Sequence, residues 1–197
     1  MALIIASCSG GEKKAPAAEP ARADTPPPAR EEYFYVNTKE DINLGSVSIG
    51  KDVVIDLGGI RTTGQWDGKR RIYYGPDNNE VFRVKADEGG MKLLVNEELK
   101  VKVKWDYPDG KIKIAYNEEM TDSYEIKPKE GNRFKIDHKD SELLDYHLTG
   151  NNQVEVLADT YKIGGFGLSK GAGVLLLEGM EMREKLAVVA ELTLAGK

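Results

Sequence analysis

Trp66-Asp67 followed by Gly68-Lys69 returns as Trp105-Asp106 followed, after a three-residue insertion, by Gly110-Lys111. Beyond the insertion the offset stays constant. Gly68, Lys69, Ile72, Tyr74, Lys85, Glu88 and Gly89 match Gly110, Lys111, Ile114, Tyr116, Lys127, Glu130 and Gly131 without a gap. A fainter echo follows, in which Asp122-Ser123-Tyr124-Glu125-Ile126 resembles both Glu80 to Val84 and Asp159-Thr160-Tyr161-Lys162-Ile163. Gly150 falls roughly where Gly110 falls in the second copy. Self-similarity at a fixed period constrains a fold more than any single motif, because each copy must build the same local unit. The spacing predicts about three units of ~40 residues, near 50–88, 89–130 and 131–164.

Each unit is made of strand-length pieces. Val53-Val54-Ile55, Arg71 to Tyr74, Val81 to Val84 and Leu99 to Trp105 are short β-branched and aromatic runs separated by Gly, Asn, Asp and Pro. Lys100-Val101-Lys102-Val103-Lys104 alternates strictly, which places valines on one face of a strand and lysines on the other. Asp67-Gly68 and Asp109-Gly110 each sit between two such runs and suit tight hairpin turns, where glycine supplies the positive φ. The expectation is an all-β antiparallel fold with about four strands per unit. Such units suit a trefoil, a small propeller, a barrel built by duplication or a sandwich. Trp66, Trp105, Tyr74 and Tyr116 are expected in the core beside their hairpins. Residues 164–197 fall outside the repeat. Val174 to Leu177 reads as a strand, and Met180 to Leu194 fits either a helix or a closing strand, the strand being preferred.

The 197 residues, 40% hydrophobic, suffice for one globular domain with a real core. A net charge of −5 lacks the basic excess of a nucleic-acid binder. The single cysteine excludes an intramolecular disulfide and any zinc site built from several cysteines. No run reaches the roughly 18 to 20 apolar residues a spanning helix needs.

That cysteine stands in Ile5-Ala6-Ser7-Cys8, which resembles the lipobox of bacterial lipoproteins. The resemblance implies that residues 1–7 are the remnant of a signal peptide and that Cys8 carries lipid, with each buried methylene contributing about 0.8 kcal/mol to anchoring. Only Met1 to Ile5 precede the small residues, and no lysine or arginine does, so a longer precursor is expected. Ser9 to Glu32 contains Pro16, Pro20, Pro26, Pro27 and Pro28 among alanines, glycines and balanced charges, with no large apolar residue. Such a stretch cannot bury enough surface to fold, so residues 8–32 are expected to be an extended tether to a β-rich domain at 33–197. By resemblance to Gram-negative sorting, Ser9 implies the outer membrane, with the domain facing the periplasm or the cell surface.

Four patterns bear on chemistry. Gly167-Leu168-Ser169-Lys170-Gly171 has the form of a nucleophile elbow, but both histidines precede it and its glycines predict a connector. Asp137-His138-Lys139-Asp140 and Asp145-Tyr146-His147 gather imidazoles and carboxylates, making His138, Asp140 and His147 the candidates for a divalent metal, against a bland alternative of solvated polar residues. Lys100, Lys102 and Lys104, with Lys111 and Lys113 across the hairpin, could form a basic stripe for anionic lipid or an acidic protein, or simply protect an exposed edge strand. Gly64-Gln65-Trp66 resembles short motifs of lipocalins and of ricin-type lectins over only two or three residues. No cofactor is expected. The lipobox resemblance, taken with the tether, the repeat and the lack of a convincing active site, implies a non-catalytic envelope lipoprotein whose domain binds or scaffolds an envelope protein or glycan. The alternative is a β-barrel carrier of a small apolar or sugar ligand, and a catalytic reading would require the His138 and His147 region to converge with carboxylates.

Overall fold

The computed structural model describes residues 32–38, 40–139, 141–148, 153–156, 161–165 and 170–197. The β-branched runs form fourteen strands: β1 (Glu32–Thr38), β2 (Asn43–Ile49), β3 (Val53–Leu57), β4 (Ile60–Trp66), β5 (Arg71–Tyr74), β6 (Glu80–Ala86), β7 (Gly90–Val95), β8 (Glu98–Lys104), β9 (Ile112–Ala115), β10 (Tyr124–Pro128), β11 (Arg133–His138), β12 (Ser141–Leu148), β13 (Gln153–Val156) and β14 (Tyr161–Gly165). The fold is mostly antiparallel β, and each strand pairs with its neighbours in chain order. β14 also pairs with β1, Val36 opposite Ile163 and Thr38 opposite Tyr161, so the sheet closes on itself.

Local chemistry explains the turns. Asp67-Gly68 joins β4 to β5 with Gly68 at φ 98°, and the Asp67 carboxylate accepts the Lys69 and Arg70 amides at 2.9 and 3.0 Å. Asp109-Gly110 serves between β8 and β9 with Gly110 at φ 70°. The alternation in β8 holds: Val101 and Val103 are buried while the lysines point outward. β8 pairs with β7 on one side and β9 on the other, so it is not the edge strand that its lysines could have protected.

The C-terminal part departs from expectation. Val174 to Leu176 lies within a 3-10 helix, Lys170–Leu176, and the following segment forms α1 (Met182–Leu194) rather than a closing strand. Every residue from Leu186 to Leu192 is buried. At 100° per residue those seven positions go all the way around the helix, so α1 is covered on every side. It lies inside the closed sheet, touching β2 and β3, while the 3-10 helix touches β10 and β11. Helix is the conformation the site demands: a closed sheet offers no free strand edge, and a helix satisfies its own backbone hydrogen bonds. Glu181 starts it, its amide donating to Glu184 Oε2 at 2.9 Å.

The pairing order defines two rims. Glu32 lies opposite Ile49, so the chain preceding β1 enters at the rim carrying turns 50–52, 67–70, 87–89, 105–111 and 129–132. We call this the tether rim. The far rim carries 40–42, 58–59, 75–79, 96–97, 116–123 and Lys139. The 3-10 helix starts at the tether rim, where Lys170 Nζ donates to the Gly110 carbonyl. The chain turns at the far rim, where the Tyr116 hydroxyl donates to the Glu178 carbonyl. α1 then returns, ending near Arg71 at the tether rim. No helix among the described residues is long and apolar enough to cross a membrane.

Candidate functional site

On the outer wall, near the far rim, the ends of β10 and β11 form an open polar cleft of about 670 Å³. Pairing of Glu125 with Asp137 sets its wall, while Tyr124 and His138 pair on the inward face at the far rim, from which His138 reaches the cleft and Tyr124 packs against the core. The His138 ring stacks on Tyr124 with centroids 4.3 Å apart and planes 15° from parallel. Its Nε2 lies 2.8 Å from Asp122 Oδ1, and Lys139 Nζ reaches the same oxygen at 3.1 Å. Lys139 above all holds the Asp122 carboxyl below its ordinary range, opposed by desolvation and aided by His138. Deeper in the cleft, Lys127 Nζ bridges Glu125 at 2.7 Å and Asp137 at 3.0 Å. The cleft thus offers an aromatic-backed imidazole with fixed charges of both signs, a surface suited to a polar protein segment or a sugar.

The metal candidates do not assemble. His147 lies opposite Arg133, while His138 lies opposite Ser141, so the two imidazoles stand at opposite ends of the β11–β12 hairpin. Five residues of strand separate them by roughly 16 Å. Asp140 lies outside the described residues, and among those residues no group of three His, Cys, Asp or Glu could hold a metal ion. Gly167, Leu168 and Ser169 of the elbow-like pattern, and Cys8, also lie outside the described residues; Lys170 and Gly171 open the 3-10 helix.

The lysine stripe is largely paired. Lys102 bonds Glu118 at 2.8 Å, Lys111 reaches Asp109 at 3.3 Å, and Lys113 bonds Glu125 at 2.6 Å; Lys104 stands opposite Lys113 in the register. From Lys113 the pairing continues across four strands. Glu125, Lys127, Asp137, Lys135, Glu142, Lys129, Asp145 and Arg133 follow in alternating sign, each within 4 Å of the next. A wall of this kind is water-facing, since strands that span a bilayer turn an apolar band outward. The lattice should matter for acid stability. Lys102 and Lys92 hold the Glu118 carboxyl at about 2, and Lys129 holds Asp145 below its ordinary range. A depressed carboxylate stabilises the fold above its unfolded pKa, and that contribution fades as pH falls through the folded value. The thermal midpoint is therefore expected to drop as pH falls from 4.5 toward 2. The drop should flatten in 1 M salt, which screens exposed pairs, and Glu118→Gln should remove part of it.

Inside the sheet the outcome for the two tryptophans differs. Trp105 is buried, at 4% exposure, with Nε1 donating to the Glu88 carbonyl at 2.8 Å. Trp66, expected in the core, is 50% exposed. It follows the inward-facing Thr62 and Gly64 along β4 and so stands at the mouth, before the short turn 67–70, whereas Trp105 opens the longer turn 105–111. Arg71 lies over the Trp66 ring at 5.9 Å and donates through Nε to Glu191 of α1 at 2.8 Å. The Tyr73 hydroxyl donates to the same carboxylate oxygen at 2.7 Å. Neither the Arg71–Glu191 pair nor the Asp122–His138 contact has a local sequence signal, because the partners lie 120 and 16 residues apart. No family model, no curated protein and no solved structure matches this chain.

Proposed function

We propose that the chain is a membrane-anchored envelope lipoprotein whose domain presents its outer surface to another envelope component, a protein or a glycan, without catalysing a reaction. Cys8 carries the lipid, residues 8–32 form the tether, and the outer membrane is the host, with the domain facing the periplasm or the cell surface. The observation that favours a scaffold is α1: Leu186, Val188, Val189 and Leu192 fill the interior, each contributing about 1.5–3 kcal/mol of burial. A carrier of a small apolar or sugar ligand would need the space this helix occupies. Recognition then falls to the wall and rims, where the His138 cleft is the most featured surface. In finer terms the sheet is a barrel grown by repetition. The spans 50–88 and 89–130 hold β3–β6 and β7–β10, and the third, near 131–164, corresponds to β11–β14.

Fatty-acid labelling and photocrosslinking of the full-length protein in intact cells test this reading. Label on the wild type but not on Cys8→Ser supports the anchor. A photoreactive residue at Lys139 should trap one envelope component, which His138→Ala and Asp122→Ala together abolish. No adduct from any wall or rim position, or ligand-dependent melting with a small apolar molecule, would overturn the scaffold in favour of the carrier.

A further inference from the structure

We propose that the tether rim lies against a lipid bilayer, with Trp66 and Leu194 at the boundary between headgroups and acyl chains. The orientation rests on the anchored reading above, but the contact itself is a separate property of the folded domain. Three observations converge on this rim.

The first is apolar exposure at the mouth. Trp66 is half exposed although its strand position faces inward, and Leu194, in the last turn of α1, is 45% exposed. They sit on either side of one buried link, because Arg71 contacts the Trp66 ring and holds Glu191, three residues before Leu194. An indole with an apolar body and an N–H handle favours the water–lipid interface.

The second is the path of the chain. Residues 1–31 join the fold at Glu32, which lies opposite Ile49 at this same rim. Tyr33, beside that junction, is also exposed.

The third is charge. The described turns of the far rim carry seven carboxylates, Glu40, Asp41, Asp77, Glu97, Glu118, Glu119 and Asp122, against Lys139. The described turns of the tether rim also carry seven carboxylates, Asp52, Asp67, Asp87, Glu88, Asp106, Asp109 and Glu130, but set five cations among them, Lys51, Lys69, Arg70, Lys111 and Lys129, with Lys170 and Lys197 nearby. The far rim also exposes Ile42 and Ile60, but its carboxylates would oppose an anionic membrane surface. Among the described residues, the tether rim therefore meets much the weaker repulsion from such a surface.

Tryptophan fluorescence provides the test, since buried Trp105 serves as an internal reference. The full chain carrying Cys8→Ser is mixed with vesicles of phosphatidylcholine and phosphatidylglycerol, with and without brominated acyl chains. The expected result is a blue-shifted emission quenched by the brominated lipid, and roughly tenfold weaker vesicle binding for Trp66→Ala. Leu194→Ser should also weaken binding, while Ile60→Ser on the far rim should not. The acylated wild type in the same vesicles separates the two readings. If it carries lipid but Trp66 stays unquenched and open to acrylamide, the bilayer contact is wrong and the anchor stands. If no chain takes up lipid yet the Cys8→Ser protein is quenched, the contact stands and the anchor is wrong.

Discussion

Glu191→Ala is expected to destabilise the fold by about 3–5 kcal/mol, the usual cost of stranding one partner of a buried ion pair. The variant leaves the Arg71 guanidinium, 7% exposed, with the Gly64 carbonyl at 3.3 Å as its remaining polar partner on that side. Tyr73 loses the acceptor of its hydroxyl in the same step. Urea unfolding would read the change as a lower midpoint at unchanged m-value. The double variant Arg71→Met with Glu191→Leu should recover most of the loss, because two apolar groups of similar size need no partner. A single variant costing under about 1 kcal/mol would mean that water reaches the pair.

The pH dependence of this pair runs opposite to that of the outer wall. Burial raises the Glu191 carboxyl above its ordinary value, with Arg71 and Tyr73 pulling it back only in part. In the window above 4.5 the folded state therefore holds more protons than the unfolded one, and stability falls as pH rises through the folded value. Glu191→Gln should remove that slope while leaving the acid-side loss from Glu118 and Asp145 in place.

Leu186→Ala should cost about 2–5 kcal/mol, because Leu186 is fully buried inside the sheet and its removal leaves a cavity the closed wall cannot collapse into. The same substitution at Leu194, on the same helix but 45% exposed, should change stability by no more than about 0.5 kcal/mol. Calorimetric midpoints of the two variants make the comparison direct. Equal effects would contradict an internal α1. Because the interior is filled by the chain itself, such a loss would also show how much of the fold depends on its C-terminal segment.

The difference between the two leucines shows why this segment resisted reading. Leu186-Ala187-Val188-Val189-Ala190 has no polar side to set a 3.6-residue period, since α1 is buried all round, and its β-branched residues then favour a strand. Trp66 departs from the core for a related reason: its inward position is legible from Thr62 and Gly64, but its place at an open mouth depends on where the neighbouring turns end. His138 was legible as a polar candidate. Its partners Asp122 and Tyr124 lie 16 and 14 residues away, and only the β10–β11 register brings them to it.

Local chemistry by itself determined the strands, the antiparallel hairpins and the turns at Asp67-Gly68 and Asp109-Gly110, because alternation and positive φ are properties of adjacent residues. It also determined that Lys100, Lys102 and Lys104 face outward. Tertiary structure decided the rest. Closure depends on pairing β1 with β14, across nearly the whole domain, and the link between Arg71 and Glu191 spans 120 residues. Once the sheet closes, its interior offers no strand edge to satisfy a backbone, and the remaining apolar segment enters as a helix that satisfies its own.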